Sequence, residues 1–203
     1  MFSNLIKTLS LRLEEVNYFP ALGRFVPNPS LREGKWHLDL VVSLAAILRP
    51  QNYLEVGIYR CGLFNRMIPY CQTLTGVDLD ANAGSYMEST SKVNFVNMSS
   101  HDYWKTSHGN LFDFIMIDAN HSKESVEEDF HNGLRLLGED GLLLLHDTYP
   151  ESEEATISDR CDDGYLFIGE ASLDSRDYEM VTLPRHPGLT ICRKRSKQVP
   201  WMQ

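Results

Sequence analysis

An acid and two spaced glycines, Glu55-Val56-Gly57-Ile58-Tyr59-Arg60-Cys61-Gly62, follow directly on the apolar pair Tyr53-Leu54. A second apolar run, Leu74 to Val77, ends at Asp78. Glycine lets the backbone approach a ligand where a Cβ would collide. A strand, a glycine turn, a helix and an acid about twenty residues on is how α/β folds hold an adenosine. The acid at the tip of the second strand can accept hydrogen bonds from both ribose hydroxyls at once.

Groups so far apart in sequence need a scaffold that gathers them, and the chain reads as one. His37 to Leu48 predicts an apolar helix stopped by Pro50. Strands are expected at 52–56, 73–77, 93–97, 112–117 and 141–146. Between them lie a short helix near 62–69, a weak helix near 81–89, a polar segment around 100–110, a helix over 122–137, and an acidic segment with a helix near 162–173. That alternation implies parallel strands with helical crossovers on both faces. The fully apolar runs Phe114 to Ile117 and Leu142 to Leu145 suit strands buried on both sides. The segments 178–183 and 189–192 also read as strands, but Pro184 to Gly188 is too short for a crossover helix, so they form an antiparallel hairpin. The expected fold class is therefore α/β: a Rossmann-like doubly wound sheet, mostly parallel, closed by a C-terminal antiparallel β-hairpin.

Outside this core, Phe2, Leu5, Ile6, Leu9 and Leu13 fall at helical spacing, and Pro20 to Gly34 reads as loop. Residues 1–36 are expected to act as a packing segment or lid, 37–195 as the main domain, and 196–203 as the end of a basic tail beginning near Arg193. In open parallel sheets ligands collect at the carboxyl ends of the strands, where strand order reverses. Asp118 stands at the end of the fourth strand and His146-Asp147 at the end of the fifth, so these groups share an edge with Glu55 to Gly62 and Asp78.

With 203 residues the chain can bury a substantial core, and 42% apolar residues is ordinary for a globular protein. A net charge of −9 and a pI near 5.2 argue against nucleic acid as partner. No apolar run has membrane-spanning length, and no secretion signal is apparent, so no membrane association is expected. Cys61, Cys71, Cys161 and Cys192 form no CxxC pair and read as reduced thiols of a cytoplasmic protein.

Two longer segments carry a resemblance. They are Phe112-Asp113-Phe114-Ile115-Met116-Ile117-Asp118-Ala119-Asn120-His121-Ser122 and Leu136 to Thr148, which ends Leu145-His146-Asp147-Thr148. With Glu55-x-Gly57-x4-Gly62 and Asp78, they resemble class I S-adenosylmethionine-dependent methyltransferases over residues 35–195. The likeness is to the small-molecule O-methyltransferase branch that includes antibiotic-tailoring sugar methyltransferases. The resemblance implies S-adenosyl-L-methionine as cofactor, with Glu55, Gly57 and Gly62 along its methionine part. It further implies Asp78 on the ribose, Leu79 beside the adenine, Ser99, Ser100 and Asp102 near the adenine amino group, and Asp118 at the reacting end.

Methyl transfer to a hydroxyl requires alignment and loss of the acceptor proton. Alignment supplies roughly 7–11 kcal/mol of the barrier. Two devices for the proton are open here: a divalent metal, Mg or Mn, held by Asp118 and Asp147, or a general base, His121 or His146. Metal-dependent members of the branch usually present a third oxygen ligand beside the fifth-strand acid, where this chain has His146 and Thr148. Two carboxylates with waters still suit magnesium, whereas histidine ligands shift preference to manganese, iron or zinc. The expected partner is a small-molecule acceptor, with a homo-oligomer left open. Two other readings stay open at this point: a dinucleotide-dependent oxidoreductase, against which the turn has two glycines where G-x-G-x-x-G has three, and a methyltransferase fold that binds cofactor without turnover.

Overall fold

The computed structural model describes residues 18–19, 24–25, 35–107, 109, 111–157, 161–173 and 176–195. The chain divides into two compact units between Leu44 and Ala45. The first unit holds a two-residue antiparallel ladder, in which Tyr18-Phe19 pairs with Arg24-Phe25. Arg24-Phe25 lies inside the stretch expected to be loop; two residues are too few to write an alternating pattern into a sequence. The expected helix over Phe2 to Leu13 and the tail from 196 lie outside the described residues. Helix α1, Trp36–Leu48, starts in the first unit and ends in the second.

The second unit is built on a seven-stranded sheet. Its strands are β1 (Asn52–Val56), β2 (Thr73–Asp78), β3 (Val93–Asn97), β4 (Phe112–Ile117), β5 (Leu137–His146), β6 (Tyr178–Leu183) and β7 (Leu189–Lys194). Their order in the sheet is β3-β2-β1-β4-β5-β7-β6. The first five are mutually parallel, while β7 runs antiparallel to both β5 and β6. The Rossmann-like sheet closed by a C-terminal hairpin is thus the observed fold. Strand order reverses between β1 and β4, which pair directly, Val56 against Ile117.

The core explains the apolar runs. Leu54, Phe114, Ile115, Met116, Leu143 and Leu144 are fully buried, since helices cover both faces of the central strands. Each such side chain contributes about 1.5–3 kcal/mol by leaving water. Helix α2 is one turn, Phe64–Met67, shorter than expected because Tyr59 and Cys61 adopt left-handed backbone just before it. The segment over Ala81–Tyr86 is a 3₁₀ helix. The polar segment around 100–110 contains a helix, α3 (Ser100–Thr106). Its N-cap Ser99 accepts from Asp102 N while donating to the Asp102 carboxylate, so the local S-x-x-D pattern was its signal.

Helix α4 is Lys123–Leu136, α5 is Glu154–Ile157 and α6 is Gly164–Leu173. Strand β5 begins at Leu137, earlier than expected, because Leu137 pairs with Phe112 across an irregularity in register. Arg193 and Lys194 belong to β7 and not to a loose tail: Arg193 pairs with Glu179 of β6, its Nε donating to Oε2 at 2.8 Å. The four cysteines are buried and none is joined in a disulfide. Among the described residues no helix is long and apolar enough to cross a membrane.

Candidate active site

The β1 strand ends in a bend that only one glycine makes obligatory. Gly57 has φ +87°, and a Cβ there would run into the backbone carbonyl of Asp118. Gly57 N donates to Val77 O at 2.8 Å and Asp118 N to Val56 O at 2.8 Å, so the tips of β1, β2 and β4 are held together. Gly62 differs from expectation. It has open space around its Cα and no left-handed φ; Cys61, φ 56°, carries the turn there instead.

Asp78 closes the bend from the second strand. Its Oδ2 accepts from Ile58 N at 3.0 Å and Tyr59 N at 2.8 Å, and its Oδ1 accepts from Asp80 N at 2.8 Å. A carboxylate offers about four lone-pair sites, so three amides leave capacity for a ligand. A cavity of about 510 Å³ opens above this point, within the usual range for small-molecule sites. Gly57, Asp78, Leu79, Ser99, Ser100 and Asp118 all line it. So does Tyr59.

Glu55, Gly62 and Asp102 do not line the cavity. Asp102 is occupied at the start of α3, and Glu55 is 3% exposed, with Tyr53 Oη donating to its Oε2 at 2.5 Å. Burial raises the Glu55 carboxyl to about 8, against the hydrogen bond from Tyr53, which lowers it, and with the charge of Asp118, which raises it further. An acid with a raised folded pKa binds its proton more tightly folded than unfolded. Its contribution is therefore intact below the unfolded value of 4.5 and declines as pH climbs toward 8. Wild type should lose stability relative to Glu55→Gln by a few kcal/mol between pH 5 and pH 8, at up to about 1.4 kcal/mol per unit. Urea midpoints of both proteins across that range test this; a difference independent of pH would show Glu55 to be ionised throughout.

Sequence reasoning missed His101 and Glu128 at the cavity wall, where His101 Nδ1 sits 2.7 Å from Glu128 Oε1. They come from different helices, and nothing in their spacing links them. Deeper, Trp104 Nε1 donates to Asp129 Oδ1 at 2.6 Å and ties α3 to α4.

Beyond Asp118 lies the second cluster. His121 Nε2 is 3.3 Å from both Asp118 Oδ1 and Asp147 Oδ2. His146 Nδ1 is 3.0 Å from Asp118 Oδ1 and 3.2 Å from Asp147 Oδ2. The fold brings together all four residues expected from the ends of the fourth and fifth strands. His121 is fixed by Gly164 at the start of α6, whose N–H donates to its carbonyl at 2.8 Å. Asp147 has φ 55°, a conformation aspartate tolerates better than most residues. The neighbouring Thr148 accepts from Thr190 Oγ1 at 2.9 Å, and Tyr149 N donates to Pro187 O at 2.9 Å, so the hairpin secures this corner.

Burial works to raise the Asp118 carboxyl, but the charge of His146 and hydrogen bonds from both rings outweigh it and hold it well below the carboxylate range. Burial likewise opposes charge on His146, yet Asp118 and Asp147 push it up to about 10. His121 is raised in the same way: burial opposes, and its bond to Asp118 prevails. As placed, the ring nitrogens that reach the carboxylates act as donors. Asp118, His121 and Asp147 each present one donor atom, all within 4.8 Å of one another, a set suited to a divalent cation.

A protein-family model described as a methyltransferase domain matches residues 43–148. Among solved structures, an O-methyltransferase from Bacillus cereus in complex with SAH is similar with a TM-score of 0.67 at 14% identity, over 82% of this chain and 84% of that one. The O-methyltransferase from Streptomyces achromogenes involved in tomaymycin synthesis, in complex with SAM, gives 0.62 at 17%, covering 83% of each chain. An N-methyltransferase from Bradyrhizobium japonicum gives 0.59 at 16%, over 80% of this chain and 95% of that one. At such identities the likeness is one of fold. No curated protein matches the chain.

Proposed function

The chain belongs to the methyltransferase-domain family that matches residues 43–148, and from that premise we propose that it transfers the methyl group of S-adenosylmethionine to a hydroxyl of a small molecule. The observation that carries this reading is the double membership of Asp118: it lines the cavity beside Gly57 and Asp78, and it anchors the His–Asp cluster. The oxidoreductase alternative finds no support in the family match or in the two-glycine turn.

Asp78 would hold the ribose with its remaining lone pairs, while Leu79 and Ser100 would flank the base. The bound cofactor supplies a sulfonium methyl carbon: the acceptor oxygen bonds to it as its bond to sulfur breaks, S-adenosylhomocysteine departs and the hydroxyl proton is released. The chain's own part is to align the acceptor over Asp118 and to lower the energy of its oxyanion at the cluster. Asp118 and Asp147 would hold a divalent cation there, which when bound acidifies the acceptor hydroxyl. The stretch after β5 carries Glu151, Glu153, Asp162 and Asp163, which would disfavour anionic acceptors. Buried thiols outside any disulfide fit a reducing compartment such as the cytoplasm.

Titration calorimetry with S-adenosylhomocysteine tests the reading. One site per chain is expected, and Asp78→Ala should weaken it roughly 100-fold by removing a charged acceptor from two hydroxyls. Asp78→Ala also frees three backbone amides of the bend, so Asp78→Asn, which keeps one acceptor oxygen, should fall between the two. Equal affinity in all three proteins would remove Asp78 from the ligand, and absence of binding to wild type would end the proposal.

A further inference from the structure

We infer that Asp129 is a positioning residue for the cofactor: from inside the core it holds helix α3 in the setting that puts Ser100 and His101 on the cavity wall. This rests on the proposed function in that the cavity takes an adenosine, but the tether itself is read from α3 and α4 alone.

Two consecutive acids of α4 meet α3, and they sit in different surroundings. Glu128 stands at the cavity, its Oε1 2.7 Å from His101 Nδ1. Asp129 is buried, and its Oδ1 accepts at 2.6 Å from Nε1 of Trp104, which is buried too. Away from water such a bond is electrostatically stronger than the same bond at the surface. Ser100 and Trp104 lie four residues apart on α3 and so share a face. Burial raises the Asp129 carboxyl, while the Trp104 indole and the Ser100 hydroxyl draw it back down. Asp129 therefore acts on the buried anchor of α3 and on a residue that lines the cavity. Farther along α4, Arg135 donates to Trp104 O at 3.0 Å and to Ser107 O at 3.2 Å, which holds the other end of α3.

A helix of seven residues has little stability of its own, so its setting comes from what it packs on. Its buried residues are Tyr103 and Trp104. Apolar contact alone is non-directional and would let the helix turn about them. An acid in the core costs desolvation that an apolar side chain of similar size would not. What the acid adds is direction: Oδ1 fixes where the indole edge lies, and with it the first turn that carries Ser100 and His101.

The test uses the full chain and two nucleosides: S-adenosylhomocysteine, and S-inosylhomocysteine, which has a carbonyl where adenine has its amino group. Wild type should prefer the first by about tenfold, the worth of one hydrogen bond on the base. Asp129→Leu and Trp104→Phe should each bind S-adenosylhomocysteine about tenfold more weakly and lose the preference. Asp129→Asn keeps an acceptor for the indole and should recover both. A purely structural Asp129 would lower the melting temperature and shift the two ligands alike. Absence of a preference in wild type, wild-type affinity in whichever variant folds, or weaker binding with the preference intact would overturn the inference. Wild type alone gives a second reading: S-adenosylhomocysteine should slow amide exchange in α3 and around Asp129 together. No slowing in α3, or slowing there without Asp129, would overturn the inference as well. Failure of wild type to bind either nucleoside ends the proposed function and this inference with it; normal wild-type binding with unaffected variants ends this inference alone.

Discussion

Asp118→Ala is expected to lower turnover about a thousandfold, a loss of roughly 4 kcal/mol of transition-state stabilisation, while S-adenosylhomocysteine affinity changes only a few-fold. The asymmetry follows from how Asp118 is used. Like Asp147, its carboxylate is approached by both histidines, His146 Nδ1 at 3.0 Å and His121 Nε2 at 3.3 Å, but it alone of the two also lines the cavity. Its tie to the glycine bend runs through the backbone, where Asp118 N donates to Val56 O, and alanine keeps that. The rate is read as kcat on any hydroxyl acceptor found by screening with label in the cofactor methyl group. Activity within tenfold of wild type would mean that Asp118 neither holds a cation nor positions the acceptor.

Gly57→Ala is expected to destabilise the fold by about 3–5 kcal/mol and to abolish cofactor binding. Two penalties coincide there: φ is +87°, and the new Cβ would meet the carbonyl of Asp118, which β4 holds in place. The chain can relieve the clash only by parting the tips of β1 and β4, which are the walls of the cavity. Gly62→Ala is the control. It meets nothing within 4 Å and has no left-handed φ, so its stability should stay level or rise by about 0.4–1 kcal/mol. Urea midpoints separate the two. Equal losses at both positions would mean that close approach at Gly57 is not what the bend requires.

How much of this was legible beforehand depended on whether a residue's job is local or shared. Strand 112–117 matched its expected bounds because an apolar run between turn residues reports burial directly, while 93–97, where no residue is buried, matched through its β-branched and aromatic residues between polar segments. The strand-tip residues Gly57, Asp78, Asp118, His121, His146 and Asp147 could be gathered because a parallel sheet sends every strand's carboxyl end to one edge. Glu55 sits in the motif, but its side chain alternates to the sheet's buried face and meets Tyr53; strand pleating, not motif membership, decided that. Asp102 was placed near the adenine by the resemblance, and the structure shows it in the first turn of α3, bonded to the N-cap Ser99. His101 and Glu128 were invisible, since their pairing exists only once α3 packs on α4. The left-handed turn at Cys61 could not be anticipated either, because a glycine next to it offers the cheaper conformation.

The central claim is that Gly57 and Asp78 cradle an adenosine whose sulfur end faces Asp118. A crystal structure of the chain grown with S-adenosylhomocysteine tests it most directly. The account requires both ribose hydroxyls within hydrogen-bond reach of the Asp78 carboxylate and the sulfur at the Asp118 side of the cavity. A nucleoside bound elsewhere, or one whose ribose never touches Asp78, would contradict it.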